Sequence, residues 1–320
     1  MLNLHRKELM KELYSKKEII EGNILYNADC FDVFSEIENN TIDLVVADPP
    51  YFKVVNQKWD YEWRTEEDYI KWCLAWMSEI HRVLRIGGTF YLFGYFRILA
   101  LLVPYLKEMG FNLRQQILVD KGMRSVSGRA TKNYKLFPNT TESILFITKE
   151  NRIFLKDFLK GKQKELGLTS SEINHRLGVK TNGGGMWSIY AGKNICEQFP
   201  TEEMWDKLKD ILEFDLEYKS VAQTFNSQMG LTDVWRDVDF YEEERIHPTQ
   251  KPVKLIERLI LASSDKGDLV LDPFGGSAST GIASLNTDRR FILFEKDEKY
   301  FDISVKRMKG EIHKSKSRLF

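Results

Sequence analysis

The sequence predicts an α/β protein built on a doubly wound, mostly parallel sheet, with a second unit inserted into it. Three observations carry that prediction. A short apolar run, a turn and a longer helical period follow one another repeatedly, which is the pattern of parallel strands joined by crossover helices. The rhythm holds over about 22–120, lapses over 121–240 and resumes over 241–313, which marks the middle stretch as an insertion and leaves 314–320 as a basic tail. A chain of 320 residues, 42% apolar and 12% aromatic, is also large enough to bury a full core.

Each element follows in order. Ile24–Asn27 reads as a first strand, and Ile42–Ala47 as a near-continuous apolar strand that Asp48-Pro49-Pro50 must stop, because proline cannot continue a ladder. Tyr69, Ile70, Trp72, Cys73, Trp76, Met77, Ile80, Val83 and Leu84 recur at helical spacing, so a helix is expected over 66–84 with Gly87-Gly88 as its stop. Thr89–Phe93 is the next strand, Phe96–Met109 a helix, and Leu113–Val119 and Ser143–Thr148 two further strands. Within the insertion, Leu168–Val179 reads as the first helix and turn of a helix-turn-helix, capped by Thr169 or Ser170, with a second helix expected from near Met186. Past it come a helix at Val253–Ala262, strands at Leu269–Leu271 and Phe291–Phe294, and a helix at Tyr300–Met308.

Composition narrows the function classes only by exclusion. Lys+Arg and Asp+Glu both number 47, so whole-chain charge gives no sign of a nucleic-acid partner. Cys30, Cys73 and Cys196 form no CxxC pair, which argues against a disulfide framework and a Cys-built metal site. No leader-like apolar segment and no 18-residue apolar run occur, so a cytoplasmic protein with no membrane partner and no metal is expected.

Two loops carry the chemistry. Asp48-Pro49-Pro50-Tyr51 follows a buried strand, at the carboxyl edge where open α/β sheets bind ligands. The prolines fix a carboxylate, a carbonyl oxygen and an aromatic face in one relation, a set that suits a planar base with an exocyclic amine. Asp272-Pro273-Phe274-Gly275-Gly276-Ser277 follows a second buried strand, with glycines that let a cofactor approach the backbone, and Glu295 ends a later strand where an acid can take ribose hydroxyls. A nicotinamide or flavin site would explain such a loop equally well, but the GxGxxG spacing is absent.

Together with His247-Pro248-Thr249-Gln250-Lys251-Pro252, these loops make the chain resemble the S-adenosylmethionine-dependent DNA amino-methyltransferases, in the β-group order where the catalytic loop precedes the cofactor loop. The resemblance covers about 40–120 and 245–310. It implies a Rossmann-like methyltransferase sheet with an inserted target-recognition subdomain. It implies that Asp48, Pro49, Pro50 and Tyr51 hold and stack a flipped base. Phe274, Gly276 and Ser277 would shape the S-adenosylmethionine pocket, with Asp272 facing the methionine amino group and Glu295 the ribose. His247, Thr249, Gln250 and Lys251 would hold the methionine carboxylate end, and Asp29 and Cys30 the adenine. Ala278 stands where the family commonly has glycine. An aspartate opening the tetrapeptide goes with adenine N6 and a serine with cytosine N4, so Asp48 favours adenine; cytosine N4, or a catalytically silent DNA-binding module, are the alternatives.

Double-stranded DNA is the implied partner, with a homodimer and a cognate restriction endonuclease as further possible partners. From Arg114 to Phe137 six basic residues stand against the single acid Asp120, which makes Lys121, Arg124, Arg129, Lys132 and Lys135 the expected phosphate contacts. Residues 306–318 form a second basic cluster. Tyr300 and Arg307 read as packing and a solvated charge, without a role.

Overall fold

The strands β1 (Lys16–Ile20), β2 (Asn23–Asn27), β3 (Ile42–Ala47), β4 (Leu84–Gly94), β5 (Phe111–Asp120), β6 (Thr141–Lys149), β7 (Val234–Trp235), β8 (Leu269–Asp272) and β9 (Arg290–Phe294) form one sheet. Their order is β1-β2-β9-β8-β3-β4-β6-β5-β7. These assignments come from a computed structural model that describes residues 16–53, 61–126, 135, 137–179, 185–192 and 198–317. From β2 to β4 every neighbouring pair is parallel, while β6 runs antiparallel to both β4 and β5. The sheet is therefore mixed α/β and mostly parallel, as the sequence predicts. The chain leaves β3 for β4 on one side and β8 for β9 on the other. The crevice between the ends of β3 and β8 is thus the topological switch point where open sheets bind ligands.

Helices cover both faces. On one lie α1 (Cys30–Val33), α2 (Glu66–Val83) and α3 (Phe96–Glu108), whose Cys73, Trp76, Met77, Ile80, Leu99 and Leu102 pack onto Val45, Phe90 and Leu92. Further along the chain come α4 (Arg152–Glu165), α5 (Ser170–Arg176), α6 (Gly185–Ala191), α7 (Glu202–Leu212), α8 (Val253–Ser263), α9 (Ser279–Asn286) and α10 (Glu298–Ser317). Of these α8 covers the second face, with Leu255, Ile256, Leu259 and Ile260 against Leu44, Val46 and Tyr91.

Helix α2 starts with a full capping box, Thr65 and Asp68 each bonding the other's backbone N–H. It ends at Val83, four residues before the expected glycine stop, and Gly87-Gly88 lies inside β4. The last carbonyls need no glycine turn because tertiary donors reach them. Asn40 N–H bonds Arg82 O at 3.1 Å, Thr41 N–H bonds Val83 O at 2.9 Å, and Lys149 Nζ lies 2.6 Å from His81 O.

The 121–240 stretch does not leave the sheet as one block. Strands β6 and β7 fall within it and belong to the main sheet, because the apolar run Ser143–Thr148 pairs with β4 rather than closing an independent unit. What builds a separate core is α4 to α7, which bury Leu155, Leu159, Ile173, Trp187, Trp205, Leu208 and Leu212 among themselves. This helical unit joins the sheet at the amino ends of the parallel strands. Arg85 donates to Ala222 O at 2.7 Å, Asn151 to Val221 O at 3.0 Å, and Lys219 pairs with Asp268 at 3.3 Å. Arg85 is the second residue of β4 and Asp268 immediately precedes β8, so the unit sits at the pole opposite the switch point.

Candidate active site

Because β2, β3, β8 and β9 are parallel, their carboxyl ends bring Asp29, Asp48, Asp272 and Glu295 to one edge. There they line a cavity of about 410 Å³, a size typical of small-molecule sites. Every residue expected in the catalytic and cofactor sets lines it: Asp48, Pro49, Pro50 and Tyr51; His247, Thr249, Gln250 and Lys251; Asp272, Phe274, Gly276, Ser277 and Glu295; and Asp29 with Cys30.

The Asp48 loop is held from three sides. Tyr69 Oη, on α2, donates to Pro50 O at 2.8 Å, while the Pro49 carbonyl accepts no bond among the described residues. Tyr51 Oη lies 2.9 Å from Asp48 Oδ1 and 2.7 Å from Glu142 Oε1, and Lys251 Nζ lies 2.7 Å from Asp48 Oδ2. Burial pushes Asp48 up, the Lys251 charge offsets part of that, and the Glu142 charge adds to it.

Asp272 accepts from Phe274 N–H at 2.9 Å and Thr280 Oγ1 at 2.6 Å, which fixes the turn after β8. Glu295 accepts from Gly276 N–H at 2.7 Å and Asp297 N–H at 2.8 Å, which ties the two strand ends together. Burial lifts both carboxyls to about 7. Two buried acids this close to losing or gaining a proton at neutral pH suit a ligand that brings positive charge. Trp72 and Phe274 line the same cavity, and Phe274 packs against Trp72 and Trp76 at centroid distances of 5.7 and 5.1 Å. An acid for ribose hydroxyls, an aromatic wall and acids for cationic groups together fit S-adenosylmethionine.

The polar groups of the 247–252 stretch largely serve their own loop. His247 Nδ1 accepts from Thr249 N–H at 3.3 Å, and Gln250 bonds Ile246 N–H and Glu244 O at 3.1 and 3.2 Å. Burial and the Lys251 charge lower His247 to about 4, so its ring is neutral at physiological pH. Lys251 points to the catalytic loop, where it neutralises Asp48. Asp29 caps α1 through Phe31 N–H at 3.1 Å and pairs with Lys296 at 3.3 Å. Cys30 is buried, and burial pushes its thiol well up, so it packs rather than reacts.

The reading of Arg307 needs correction, and that of Tyr300, which packs as expected, needs extending. Arg307 is not a solvated charge: it donates to Ser277 O at 2.9 Å and Ser279 Oγ at 3.1 Å and pairs with Glu243 at 2.9 Å, clamping the cofactor loop. Tyr300 lines the cavity and packs edge-on against His247 with centroids 4.2 Å apart. The available signal was spacing, since Ser304, which donates to Gly276 O at 2.6 Å, stands one helical turn before Arg307 on the same face. The Ala278 methyl is buried with Ile20, Leu25 and Ile282 behind the cavity. Its φ of 61° is left-handed, which accounts for the glycine expected there. Glu142 escaped notice because it precedes an apolar strand run rather than belonging to a motif.

Among the expected phosphate contacts, Lys121 is engaged with Glu142 at 3.1 Å, and Arg124 and Lys135 are exposed. Arg129 and Lys132 lie outside the described residues. Lys121 and Arg124 follow β5 and Lys135 precedes β6, on the cavity pole of the sheet. Within the C-terminal cluster, Arg307 pairs with Glu243, Lys309 with Glu18 and Lys314 with Glu311, and α10 runs on to Ser317. The helix pair forms as expected, with α5 capped by Thr169 and α6 starting at Gly185. However, α6 buries Trp187 and Tyr190 in the helical unit, and Asn174 Oδ1 caps it by accepting from Trp187 N–H at 2.9 Å. It therefore shows little surface for reading a groove.

Known proteins share this arrangement. A family model described as DNA methylase, covering N6 and N4 enzymes, matches residues 42–306. The Type II methyltransferase M.HinfI of Haemophilus influenzae is 24% identical over 90% of this chain and 68% of its own. The DNA adenine methyltransferase YhdJ of Escherichia coli (strain K12) is 26% identical over 93% and 87%. Among solved structures, the M1.HpyAVI–SAM complex superposes with a TM-score of 0.52 at 19% identity, covering 88% of this chain and 98% of that one. The cytosine-N4-specific PvuII DNA methyltransferase gives 0.55 at 15% identity, covering 91% and 89%. With the catalytic and cofactor loops meeting in one cavity and the family model spanning both of them, the chain belongs to the S-adenosylmethionine-dependent DNA amino-methyltransferases.

Proposed function

We propose that this DNA methyltransferase modifies the exocyclic N6 of adenine, in duplex DNA, after the base has been turned out of the stack into the cavity beside Asp48. The observation that carries the reading is Asp48 itself: a carboxylate opens the Asp-Pro-Pro-Tyr loop, and the Pro49 carbonyl beside it is unclaimed among the described residues. The name of the Escherichia coli relative, a DNA adenine methyltransferase, supports adenine. The Type II names of other relatives support a restriction endonuclease of matching specificity as a partner.

An exocyclic amine is a poor nucleophile because its lone pair is delocalised into the ring. Asp48 and Pro49 O, each accepting one amine hydrogen, favour a pyramidal nitrogen where positive charge develops. Bound S-adenosylmethionine supplies the sulfonium methyl. The proton shed by the nitrogen passes to Asp48, whose raised affinity for protons suits it to that step. Asp272 and Glu295 would hold the cofactor's amino group and ribose, with Trp72 and Phe274 beside its base. Extruding the target costs a few kcal/mol. Stacking on Tyr51 returns about 1–3 kcal/mol, and phosphate contacts from the 121–135 loop supply the remainder.

Incubation with methyl-labelled S-adenosylmethionine and mixed-sequence DNA tests this, followed by identification of the labelled base. N6-methyladenine is expected, with the rate falling about 100-fold or more in Asp48→Ala. Label on cytosine N4, no label in DNA, or an undiminished rate in Asp48→Ala would each refute the reading.

A further inference from the structure

Tyr51 has one hydroxyl hydrogen and two carboxylates within reach of it. Its oxygen is 2.9 Å from Asp48 Oδ1 and 2.7 Å from Glu142 Oε1. The other oxygen of Asp48 is held by Lys251 at 2.7 Å. Asp48 Oδ1 is therefore the oxygen left for a target amine, provided that the Tyr51 hydrogen goes elsewhere. Glu142 is built to take it. It sits at the start of β6 with a side chain only 8% exposed, and its second oxygen is anchored by Lys121 at 3.1 Å. A carboxylate anchored by Lys121 on one oxygen, with Lys251 3.9 Å from the other, on an interior strand is itself held, so the tyrosine must come to it.

We propose that Glu142 is a positioning residue for methyl transfer: by taking the Tyr51 hydrogen it leaves Asp48 Oδ1 open to the amine and fixes the plane of the ring on which the base stacks. The inference rests on the function proposed above and adds to it a residue outside the loops that suggested that function. Glu142 acts through Tyr51, without touching the substrate. Neutralising Lys121 and Lys251 is the competing role, and it makes different predictions.

A double-mutant cycle over Glu142→Gln and Tyr51→Phe separates the two, with kcat and KM measured on DNA and cofactor affinity measured by titration. Glu142→Gln should lower kcat by about 10- to 100-fold, the loss of a hydrogen bond to a charged group. Its cofactor affinity should stay within about twofold, and in the Tyr51→Phe background the same change should cost less than about twofold. The groups facing Asp48 are Lys251, Tyr51, Glu142 and, across the cavity, Asp272. Removing the Glu142 charge removes one cause of the raised Asp48, so the acid limb of kcat should move to lower pH while the plateau falls. A loss equal in both backgrounds, or one confined to cofactor affinity, overturns the proposal. If Glu142→Gln does not fold, Glu142→Asp keeps the charge beside Lys121 while retracting from Tyr51. A kcat reduced at least tenfold in that variant supports the proposal, and a wild-type kcat overturns it. Wild-type enzyme that labels DNA adenine alongside an unimpaired Glu142→Gln sinks this inference alone, whereas wild-type enzyme that labels no DNA sinks the function.

Discussion

Asp272 and Glu295 stand at the ends of adjacent parallel strands, and burial raises each to about 7. A raised carboxyl is protonated below that value and ionised above it. The amino group of the cofactor calls for an ionised Asp272, and the two ribose hydroxyls donate best to an ionised Glu295. Cofactor affinity is therefore expected to be highest above pH 7 and to weaken as the pH falls through 7, approaching about tenfold per unit for each group that must be ionised. Titration calorimetry between pH 6 and 8 measures this directly, and a flat affinity across that range would show that neither carboxyl must be ionised to hold the cofactor. These two acids were legible in the sequence because each closes a strand in a recognisable loop. Lys251 was legible as a pocket residue, but its direction was not. Arg307 and Glu142 were misread or missed because their partners, Ser277 and Tyr51, are 30 and 91 residues away. Local spacing carries no signal of contacts made across the sheet.

The same limit shows in the elements. The alternation of apolar runs and helical periods was enough to place β3, β4, β8, β9 and the helices between them, since buried strands and amphipathic helices write their burial into composition. The end of α2 was placed to within one residue, but the glycines were wrongly read as its stop, because its last carbonyls are satisfied from elsewhere in the fold. Gly87, read as a helix stop, does a different job. It has a φ of +71°, and a Cβ there would lie 2.5 Å from Val221 O, where the helical unit crosses the start of β4. Gly87→Ala is expected to destabilise the protein by about 3 kcal/mol, combining left-handed strain of ~1–2 kcal/mol with displacement of a packed carbonyl. Gly122, also left-handed at φ +65° but with nothing within 4 Å of the place a methyl would occupy, is the control. Gly122→Ala should lose only the strain. Thermal melting of the two variants decides it: equal losses would mean that the crossing at Val221 yields freely. The active-site loops lie at the other end of β4, so folded Gly87→Ala protein should keep its cofactor affinity.

At the scale of the molecule, the sheet has two unlike poles. One holds the cavity and the exposed bases Arg124 and Lys135; the other holds α4 to α7. A duplex that delivers a base to Asp48 must lie across the first pole, and the helical unit is separated from it by the length of the parallel strands. The zero net charge of the chain hides this polarity, because Arg307, Lys309 and Lys314 near the C-terminus are paired with Glu243, Glu18 and Glu311. Salt titration of DNA binding reads the polarity out. Each phosphate contact contributes about −0.9 to the slope of log K against log salt. Replacing Arg124 and Lys135 together by alanine should make that slope shallower by up to about 2. Replacing Lys160 and Lys164, exposed on α4, should leave it unchanged. The reverse outcome, a slope that follows the α4 lysines, would place the DNA on the helical unit and require the duplex to bend or wrap around the edge of the sheet to reach Asp48.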